Sequence, residues 1–456
     1  MSVDNRGNFG SRLGGVLVAA GSAVGLGNIW RFPYETGQNG GAAFLLIYIA
    51  CIAIFGLPLM MSEFAVGRHA QSNTARAFGM MGGSKHWKWV GFLGVLTGTL
   101  ILCYYGVAAG WTLEYLIEAG ADGFAGKTPD QFAADFSAFV SNPVRPIICM
   151  VIFMGINLAV ILLGVKKGIE KGSKLMMPLL FVFVLVLAVS SLFLPNSEKG
   201  IDFLFNPDFS KVTPNTFLSA MGQAFFSLSL SMGCLCTYAS YFRKEDKLFS
   251  NAVNVASIDT LIAILAGVII FPAAFSVGIE PGAGPSLVFI TLPNVFQQAF
   301  SGSPIISYVF SLLFYLLLTL ATLTSAMGLL EVPTIYMKEE FHIRRRWSAV
   351  GCTIFCVVVG VACSLSMGVW SDYTVGGLNI FDLFDFVTAK IMLPIGGLLI
   401  AIYTGWFCDK KLLRDEITNG GTLKASYYSI YRFLIRYVAP LAIILIFLNE
   451  LGLFKL

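Results

Sequence analysis

The sequence predicts an all-α polytopic membrane protein with eleven transmembrane helices. Hydrophobic residues make up 56% of the 456 residues and charged residues only 12%, whereas roughly a quarter of the residues in soluble domains are charged. The apolar residues stand in blocks of about 20, long enough for a helix to cross the hydrocarbon core of a membrane. This composition argues against soluble enzymes and nucleic-acid-binding proteins.

The eleven spans follow from these blocks and from the charges that flank them. Seven spans are free of charge, at residues 13–30, 36–62, 90–113, 146–165, 175–197, 212–242 and 347–371. The other four cover residues 259–279, 304–338, 382–408 and 427–449. A short extracellular hairpin is expected around residues 284–302, because the uncharged stretch there is too long for one span.

Lysines and arginines predict the orientation, since they are retained on the cytoplasmic side. A cytoplasmic N-terminus places 23 of the 30 on inner segments and five outside, with Arg31 and Lys390 near membrane depth. The C-terminus is then extracytoplasmic. The first block lacks a basic start and a cleavage site, so it is expected to be a retained span and not a signal peptide.

Two spans contain clusters of small and polar residues that disfavour a continuous helix. Residues 21–28 hold three glycines and an asparagine, and residues 227–233 hold three serines and a glycine. Each interior glycine costs a helix about 1 kcal/mol relative to alanine. The clusters lie in the first and sixth spans, five helices apart, and such a pair of interrupted helices in inverted halves indicates the binding site of a secondary transporter. The alternative is close helix packing through small residues.

Carboxylates inside apolar blocks also need an explanation, because a buried charge costs several kcal/mol unless it is paired or hydrated. Five such residues are Glu63, Asp259, Glu331, Asp382 and Asp385. A functional role is favoured for Asp259 and Asp385, whereas Glu63 and Glu331 fit a structural hydrogen-bond network equally well. Arg31 is a candidate partner for Asp385 or Asp382.

Five segments resemble the neurotransmitter:sodium symporter family, specifically its bacterial amino-acid transporters. They are GSAVGLGNIWRFP (21–33), NGGAAF (39–44), GLPLMMSEFAVGR (56–68), QAFFSLSLSMGCLCTYASYFR (223–243) and LATLTSAMGLLEVP (320–333). The resemblance runs essentially end to end. It implies a LeuT-type fold in the bacterial inner membrane, a single transporter domain over residues 1–456 with discontinuous helices 1 and 6. Its 5+5 inverted repeat would cover about 10–195 and 215–408, with an additional helix at 427–450.

The resemblance implies sodium as the coupling ion, at two sites, with no organic cofactor. The first site would use Ala23, Asn28, Ser227 and Asp259 together with the substrate carboxylate. The second would use Gly21, Val24, Ala321, Thr324 and Ser325. Both sets supply oxygen atoms, which hard cations prefer. For Thr324 and Ser325 the alternative is a hydrogen bond back to a helix carbonyl.

Asp259 departs from the pattern of the family. It is a carboxylate where the family has an amide ligand, and Ala263 stands one turn later where related sequences carry an acidic residue. Tyr48, Gln223 and Ser227 match the family's anion-site positions, so Asp259 could replace a bound chloride there. The resulting hypothesis is transport without chloride, with Asp259 taking up a proton when the site empties.

The resemblance also implies the substrate. Family members that carry monoamines have an aspartate at the position of Gly25, so a glycine there leaves room for the carboxylate of an amino acid. The expected binding residues are Ala23, Gly25, Leu26, Gly27, Ile101, Tyr105, Phe226, Ser229, Met232, Ser325 and Leu329. None is charged, and burying an unpaired charge is costly, so the substrate should be a neutral, mostly apolar or aromatic amino acid. Met232 can re-pack around larger side chains.

Two gates complete the expected mechanism of alternating access. Outside, Arg31 would pair with Asp385 while the rings of Tyr105 and Phe226 cover the site. Inside, Arg6 would pair with Glu339, with Phe9 and Tyr241 packing over the pair; Arg6 could equally be a charge that sets topology.

Other functions stay open at this point. Within transport, the substrate could be a betaine, a GABA-like compound or another osmolyte; outside it, the chain could be a channel or an amino-acid sensor that does not transport. An enzyme is not expected, because His69, His86 and His342 have no nucleophile or metal-ligand spacing beside them. The expected partners are the lipid bilayer and a small-molecule amino acid, without nucleic acid, for a monomer or weak dimer.

Overall fold

The computed structural model describes residues 8–278, 287–422 and 427–450. Across these ranges the regular structure is helical, apart from one isolated β-bridge between Val375 and Leu378. In chain order the helices are α1 (Arg12–Ala23), α2 (Gly27–Gln38), α3 (Ala42–Ala70), α4 (Thr74–Met80), α5 (Lys85–Gly120), α6 (Pro129–Ser141), α7 (Arg145–Leu162), α8 (Val165–Ser191), α9 (Ser197–Phe205), α10 (Pro214–Ser227), α11 (Cys234–Ala239), α12 (Leu248–Ser276), α13 (Leu292–Ala299), α14 (Pro304–Glu340), α15 (Arg345–Leu365), α16 (Ile380–Phe407), α17 (Lys410–Thr418) and α18 (Tyr428–Leu445).

Nine helices in the described ranges are long and apolar enough to cross a membrane, namely α3, α5, α7, α8, α12, α14, α15, α16 and α18. Helices α1 and α2 form a tenth crossing that bends by 53° at its break. Helices α10 and α11 fill the place of the predicted sixth span and are separated by residues 228–233. Counting each broken pair as one crossing gives the eleven that the sequence predicts.

The boundary between the first two spans differs from the prediction. Residues 36–38 were expected at the start of the second span but form the end of α2, and α3 begins at Ala42. Gly40 and Gly41 between them have φ angles of 91° and 61°. Because side chains disfavour such left-handed conformations, this glycine pair sets the turn between the two helices.

The predicted extracellular hairpin at residues 284–302 contains helical structure that the sequence did not predict. A π-helical turn over Leu287–Thr291 runs directly into α13, which has Pro293 in its first turn. Proline is favoured there because the first turn of a helix leaves its N–H groups unpaired in any case. The described part, residues 287–302, is therefore mainly helical; residues 284–286 lie outside the described residues.

The two broken crossings lie at the centre of the helix bundle. Helix α1 packs against α8, α12 and α14, and α11 packs against α3. The two long helices α5 and α14 pack along each other and against α7 and α15, forming a wall beside the breaks. Backbone groups that the breaks release are thus surrounded by protein and not by lipid, as a membrane fold requires.

Candidate functional site

A cavity lies between the two broken crossings. Eleven residues line it, the same eleven that the resemblance assigns to the substrate: Ala23, Gly25, Leu26, Gly27, Ile101, Tyr105, Phe226, Ser229, Met232, Ser325 and Leu329. None of the eleven side chains carries a charge. The cavity therefore offers backbone groups and hydroxyls on the side of the breaks and apolar side chains elsewhere.

The first break is closed by the side chain of Asn28. Val24 is extended, with φ −72° and ψ 112°, so α1 ends before it. The amide oxygen of Asn28 accepts a hydrogen bond from the backbone N–H of Gly25 at 3.0 Å. This bond satisfies a backbone donor that the interrupted helix leaves without an intrahelical partner.

The second break passes through left-handed backbone conformations. Ser229, Ser231 and Gly233 have φ angles of 53°, 67° and 77°. The N–H of Ser231 donates to a carboxylate oxygen of Glu63 at 2.7 Å. Glu63 is buried, so its role here is the structural one that the sequence left open, namely support of an unwound backbone.

A backbone carbonyl joins the two breaks. The hydroxyl of Ser229 donates to the carbonyl oxygen of Ser22 at 3.0 Å, and the hydroxyl of Ser325 donates to the same oxygen at 3.1 Å. The sequence analysis did not identify Ser22, because a main-chain acceptor leaves no side-chain signal. Its only cue was its place between the glycines that interrupt the helix.

The side chains expected at the first sodium site converge. Asp259 accepts hydrogen bonds from the amide nitrogen of Asn28 at 2.7 Å and from the hydroxyl of Ser227 at 2.8 Å. The exposed fraction of each of the three residues is 1% or less. Ala23 lines the adjacent cavity. One carboxylate, one hydroxyl and one amide therefore meet at the edge of the candidate substrate pocket, on three different helices.

The residues expected at the second sodium site lie where α1 meets α14. A Cβ atom on Gly21 would lie 3.3 Å from Cβ of Thr324. The hydroxyl of Thr324 donates to the carbonyl of Ala321 at 2.9 Å, which is the back-bonding alternative for this residue. Such a hydroxyl keeps its lone pairs, so the bond is compatible with a cation. Val24 follows α1 directly, and its N–H donates to the carbonyl of Ala20 at 2.8 Å.

The residues at the expected anion-site positions surround Asp259 with neutral groups. The Tyr48 hydroxyl lies 3.5 Å from a carboxylate oxygen of Asp259. The amide nitrogen of Gln223 donates to the carbonyl of Gly27 at 3.0 Å, while its amide oxygen is buried without a partner. Across the described residues, the hydrogen-bond donors to the Asp259 carboxylate are Asn28, Ser227 and Tyr48, all uncharged.

The outer gate residues are near the cavity but are not paired as expected. Arg31 forms its ion pair with Glu35, four residues along, at 3.7 Å, and its guanidinium lies 4.8 Å from the ring centre of Phe226. Asp385 instead accepts a hydrogen bond from the Tyr104 hydroxyl at 3.0 Å. The sequence analysis missed Glu35 and Tyr104. Residues four apart on a helix are neighbours, so the Arg31–Glu35 pair was available as a local signal.

Asp382, the other candidate partner of Arg31, has a different role. The side chain of Asn379 accepts a hydrogen bond from the Asp382 N–H at 2.8 Å and donates to the Asp382 carboxylate, also at 2.8 Å. Both bonds belong to the start of α16. The pair therefore caps a helix, a common use of asparagine and aspartate.

On the opposite side of the cavity, Phe9 lies where the inner gate was expected. Its ring centre is 5.6 Å from that of Tyr241, and its N–H donates to the Tyr241 carbonyl at 3.1 Å. Glu339 accepts hydrogen bonds from the backbone N–H of Asn73 at 2.7 Å and from its side chain at 3.1 Å. Arg6, the expected partner of Glu339, lies outside the described residues.

Glu331 belongs to a structural network below the cavity. The Tyr241 hydroxyl donates to it at 2.7 Å, and both terminal guanidinium nitrogens of Arg345 lie 2.7 Å from its oxygens. The fork geometry of arginine suits a carboxylate in this way. Glu63 and Glu331, whose roles the sequence left open, thus each have defined hydrogen-bond partners.

A cavity at mid-bundle between two broken helices defines the class of protein as a secondary transporter. The model of the sodium:neurotransmitter symporter family matches residues 6–128 and 136–455. The chain belongs to this family, whose members are transporters and not enzymes.

Individual relatives agree with that assignment. An uncharacterised sodium-dependent transporter of Bacillus subtilis is 37% identical over 97% of both chains. One from Methanocaldococcus jannaschii is 31% identical over 97% of this chain and 89% of the relative. The crystal structure of MhsT in complex with L-phenylalanine has a TM-score of 0.88 and 41% identity, and the match covers 97% of this chain and 99% of MhsT. The protein is therefore a sodium-dependent symporter with the LeuT-type fold.

Proposed function

We propose that the protein imports neutral, mostly apolar or aromatic L-amino acids together with sodium, by alternating access. The observation that carries the proposal is an uncharged cavity directly beside the cluster of Asn28, Ser227 and Asp259. A carboxylate in the cavity could complete the shell of a sodium ion held by that cluster. MhsT, whose crystal structure contains L-phenylalanine, supports an amino acid as the substrate.

Gly25 provides the space for the substrate carboxylate. A Cβ atom at this position would lie 3.0 Å from the Tyr105 hydroxyl and 3.1 Å from Cβ of Ser325. The Tyr105 hydroxyl is buried without a well-formed hydrogen bond inside the protein. It can therefore donate to a carboxylate that also meets the N–H groups exposed by the first break. The substrate side chain then points towards Ile101 and Met232.

Sodium and substrate bind cooperatively in this mechanism. The substrate carboxylate and Asp259 share one sodium ion. Bound sodium therefore raises the affinity for the substrate, and bound substrate raises the affinity for sodium by the same factor. A second sodium ion at the contact of Gly21 with Thr324 would hold α1 against α14. Release of both ions towards the cytoplasm, on the side of Phe9, then frees α1 and opens the inner path.

Asp259 makes chloride unnecessary in this mechanism. The carboxylate has only neutral hydrogen-bond partners among the described residues, so sodium supplies its counter-charge. When sodium leaves, a buried carboxylate without a cation costs several kcal/mol, and a proton takes its place. Each return step would then carry one proton outwards.

The direct test is uptake of radiolabelled L-phenylalanine into proteoliposomes with an imposed inward sodium gradient. Accumulation above the equilibrium level that disappears when sodium is replaced by potassium supports the proposal. Binding without accumulation would identify an amino-acid sensor and contradict it. The other amino acids, unlabelled, serve as competitors. Sodium-driven accumulation of labelled betaine or GABA without accumulation of phenylalanine would identify an osmolyte transporter.

The chloride and proton hypotheses have their own test. Uptake should persist when external chloride is replaced by gluconate, and a pH-sensitive dye inside the vesicles should report proton loss during sodium-driven uptake. Asp259→Asn, which restores an amide, should make uptake dependent on chloride and abolish the proton signal. Collapse of wild-type uptake in gluconate would refute the chloride hypothesis.

Met232 tests the assignment of the side-chain pocket. Met232→Phe places a rigid ring in the cavity, so affinity for phenylalanine and tryptophan should fall about tenfold while that for smaller apolar amino acids changes little. Unchanged affinity for the aromatic substrates would show that their side chains lie elsewhere. Leu13→Met, at an exposed position of α1, is the control.

A further inference from the structure

A second polar feature lies inside a spanning segment, where α18 crosses the end of α16. Gly405 makes the crossing close, because a Cβ atom on it would lie 3.2 Å from Cα of Arg436. Both contacting segments, Tyr403–Phe407 and Leu434–Val438, are π-helical. Single π-helical turns are frequent at functional sites, and this pair holds an arginine between two membrane helices.

Arg436 has aromatic neighbours but no ion-pair partner among the described residues. Its guanidinium carbon lies 5.2 Å from the ring centre of Trp406 and 5.5 Å from that of Tyr437. Its Nε atom is buried without a hydrogen-bond partner, and none of the ion pairs among the described residues includes it. A charge within a spanning helix is costly without a counter-ion.

The depth of Arg436 suits the boundary between headgroups and acyl chains. It is eight residues beyond Tyr428, where α18 begins, which is about 12 Å along the helix axis. The aromatic side chains beside it face outwards: Trp406 is 39% exposed and Tyr437 is 53% exposed. Tryptophan and tyrosine are enriched at the interface of a membrane, where an apolar ring and a polar edge are both solvated.

Further positive charge lies towards the end of the same helix. Arg432 is one turn before Arg436, and both Arg432 and Arg414 are close enough to Tyr428 to interact with it electrostatically. Lys410 and Lys411 open α17, which follows α16 directly.

The neighbouring carboxylates do not cancel this charge. Asp409 accepts the N–H groups of the first turn of α17 at 2.7 and 3.2 Å. Glu416 is bound to Arg68 at 2.7 Å and to His69 at 3.4 Å. Asp415 is exposed on α17 and forms no ion pair in the described part of the chain. The surface therefore keeps a net positive charge.

We infer that Arg432 and Arg436 bind the phosphate of an anionic phospholipid, with its acyl chains lying along Trp406 and Tyr437. The phosphate supplies the missing acceptor for the guanidinium groups, since arginine recognises phosphate through several parallel N–H bonds. Basic surfaces between membrane helices on the cytoplasmic side bind anionic headgroups in this way. With a cytoplasmic N-terminus, this end of α18 lies in the inner leaflet, so the inference rests on the predicted orientation and not on the transported substrate.

The test uses purified full-length protein in detergent, to which phosphatidylglycerol or phosphatidylcholine is added. Thermal unfolding and native mass spectrometry report stabilisation and the number of retained lipids. Phosphatidylglycerol should raise Tm and remain bound, and phosphatidylcholine should do neither. Arg436→Gln should lower the apparent affinity for phosphatidylglycerol at least tenfold, whereas Arg346→Gln, the same change at the exposed start of α15, should leave it unchanged.

Several outcomes would overturn the inference. One is that Arg436→Gln still retains phosphatidylglycerol. Another is that Arg436→Gln and Arg346→Gln lose affinity for phosphatidylglycerol equally, which would indicate general attraction to positive charge. Stabilisation of the wild type by glycerol 3-phosphate as strong as that by phosphatidylglycerol would indicate a site for free anions. If Arg436→Gln does not fold, Trp406→Leu keeps the charge and removes one ring, and at least a threefold loss of affinity is expected; unchanged affinity in that variant contradicts the lipid site.

Discussion

The two broken crossings reach the same result with different residues. At the first break, none of Gly21, Gly25 and Gly27 has a positive φ angle, so the glycines are not needed for the backbone conformation. They are needed for space: a Cβ atom on Gly25 would lie 3.0 Å from the Tyr105 hydroxyl, and one on Gly27 would lie 3.2 Å from the ring of Phe226. At the first break, small residues thus leave open space next to the side chains of Tyr105 and Phe226.

The second break uses serine where the backbone is left-handed. Ser229 and Ser231 have φ angles of 53° and 67°, a conformation that costs a residue with a side chain about 1 kcal/mol or more. The cost is offset by contacts, since the Ser229 hydroxyl bonds Ser22 and the Ser231 N–H bonds Glu63. Glycines at the first break therefore mark where neighbouring side chains come close to the backbone. Serines with left-handed backbone at the second break mark where the break also forms hydrogen bonds to other helices.

The far ends of the broken crossings differ as well. The first begins at Gly10 and Ser11, whose N–H groups donate to the carboxylate of Glu170 at 2.6 and 3.2 Å. The loop after the second is held through the backbone of Asp246, which bonds the buried guanidinium of Arg68. One crossing is thus anchored by a carboxylate on α8, and the other by an arginine on α3.

The largest effect is expected for Asn28→Ala, which removes the residue that closes the first break and contacts Ser227 and Asp259 of the other helices. A hydrogen bond to a charged group contributes about 1.5–3 kcal/mol. Sodium affinity should therefore fall about tenfold to a hundredfold. Sodium-dependent phenylalanine binding measures it. Asn206→Ala, at an exposed position, should bind as the wild type does; equal binding by Asn28→Ala would remove this residue from the sodium site.

Gly25→Ala tests whether the first break is a matter of space. The added Cβ forces Tyr105 and Ser325 apart or fills the place of the substrate carboxylate, so phenylalanine affinity should fall about tenfold, the effect of about 1.4 kcal/mol. Gly155→Ala on α7 is the matched control, because a Cβ there meets nothing within 4 Å. If the two variants transport equally well, the glycine serves another purpose.

Ser231 tests whether the second break is constrained by its backbone conformation and not by space. Ser231→Gly removes the steric cost of the left-handed backbone and should leave the free energy of unfolding within about 1 kcal/mol of the wild type. Ser231→Val adds a branched side chain at the same φ angle and should destabilise by more than that. Thermal unfolding of the two variants gives the comparison. A Val variant as stable as the Gly variant would show that backbone conformation does not constrain this position.

The smallest effect concerns pH and the anchor of the second crossing. Burial raises the pKa of Glu416, but the hydrogen bond from His69 and the charge of Arg68 outweigh it, so the pKa lies below its usual value. A lowered carboxyl pKa contributes stability that is present above the ordinary glutamate pKa of about 4.3 and is lost as the pH falls through the lowered value. Tm should therefore fall in this acidic range.

Glu416→Gln provides the comparison for this prediction. The variant should be less stable at neutral pH, because Arg68 stays buried without its counter-ion. Its Tm should depend less on pH than that of the wild type below pH 5. Parallel curves of Tm against pH for the two proteins would show that another group is responsible for the acid sensitivity.

Much of the fold could be predicted from the sequence because a membrane imposes strong, local rules. Apolar blocks of span length gave the eleven crossings, and the clusters at residues 21–28 and 227–233 gave both breaks. The same locality explains the errors: Gly40 and Gly41 end the first crossing through their backbone angles, which composition does not report. The hairpin around residues 284–302 was expected from the absence of charge alone, and that pattern did not report the helical turns of its described residues.

The resemblance to the family predicted all eleven residues that line the cavity. Only the tertiary structure decided their partners. Arg31 is paired with Glu35 and Asp385 with Tyr104, and the carbonyl of Ser22 joins α1 to α14. Sequence patterns report the properties of one helix at a time, namely the length of its apolar block, its interruptions and its charges. The choice among polar partners depends on distances between helices that are far apart in the chain, and packing sets those distances.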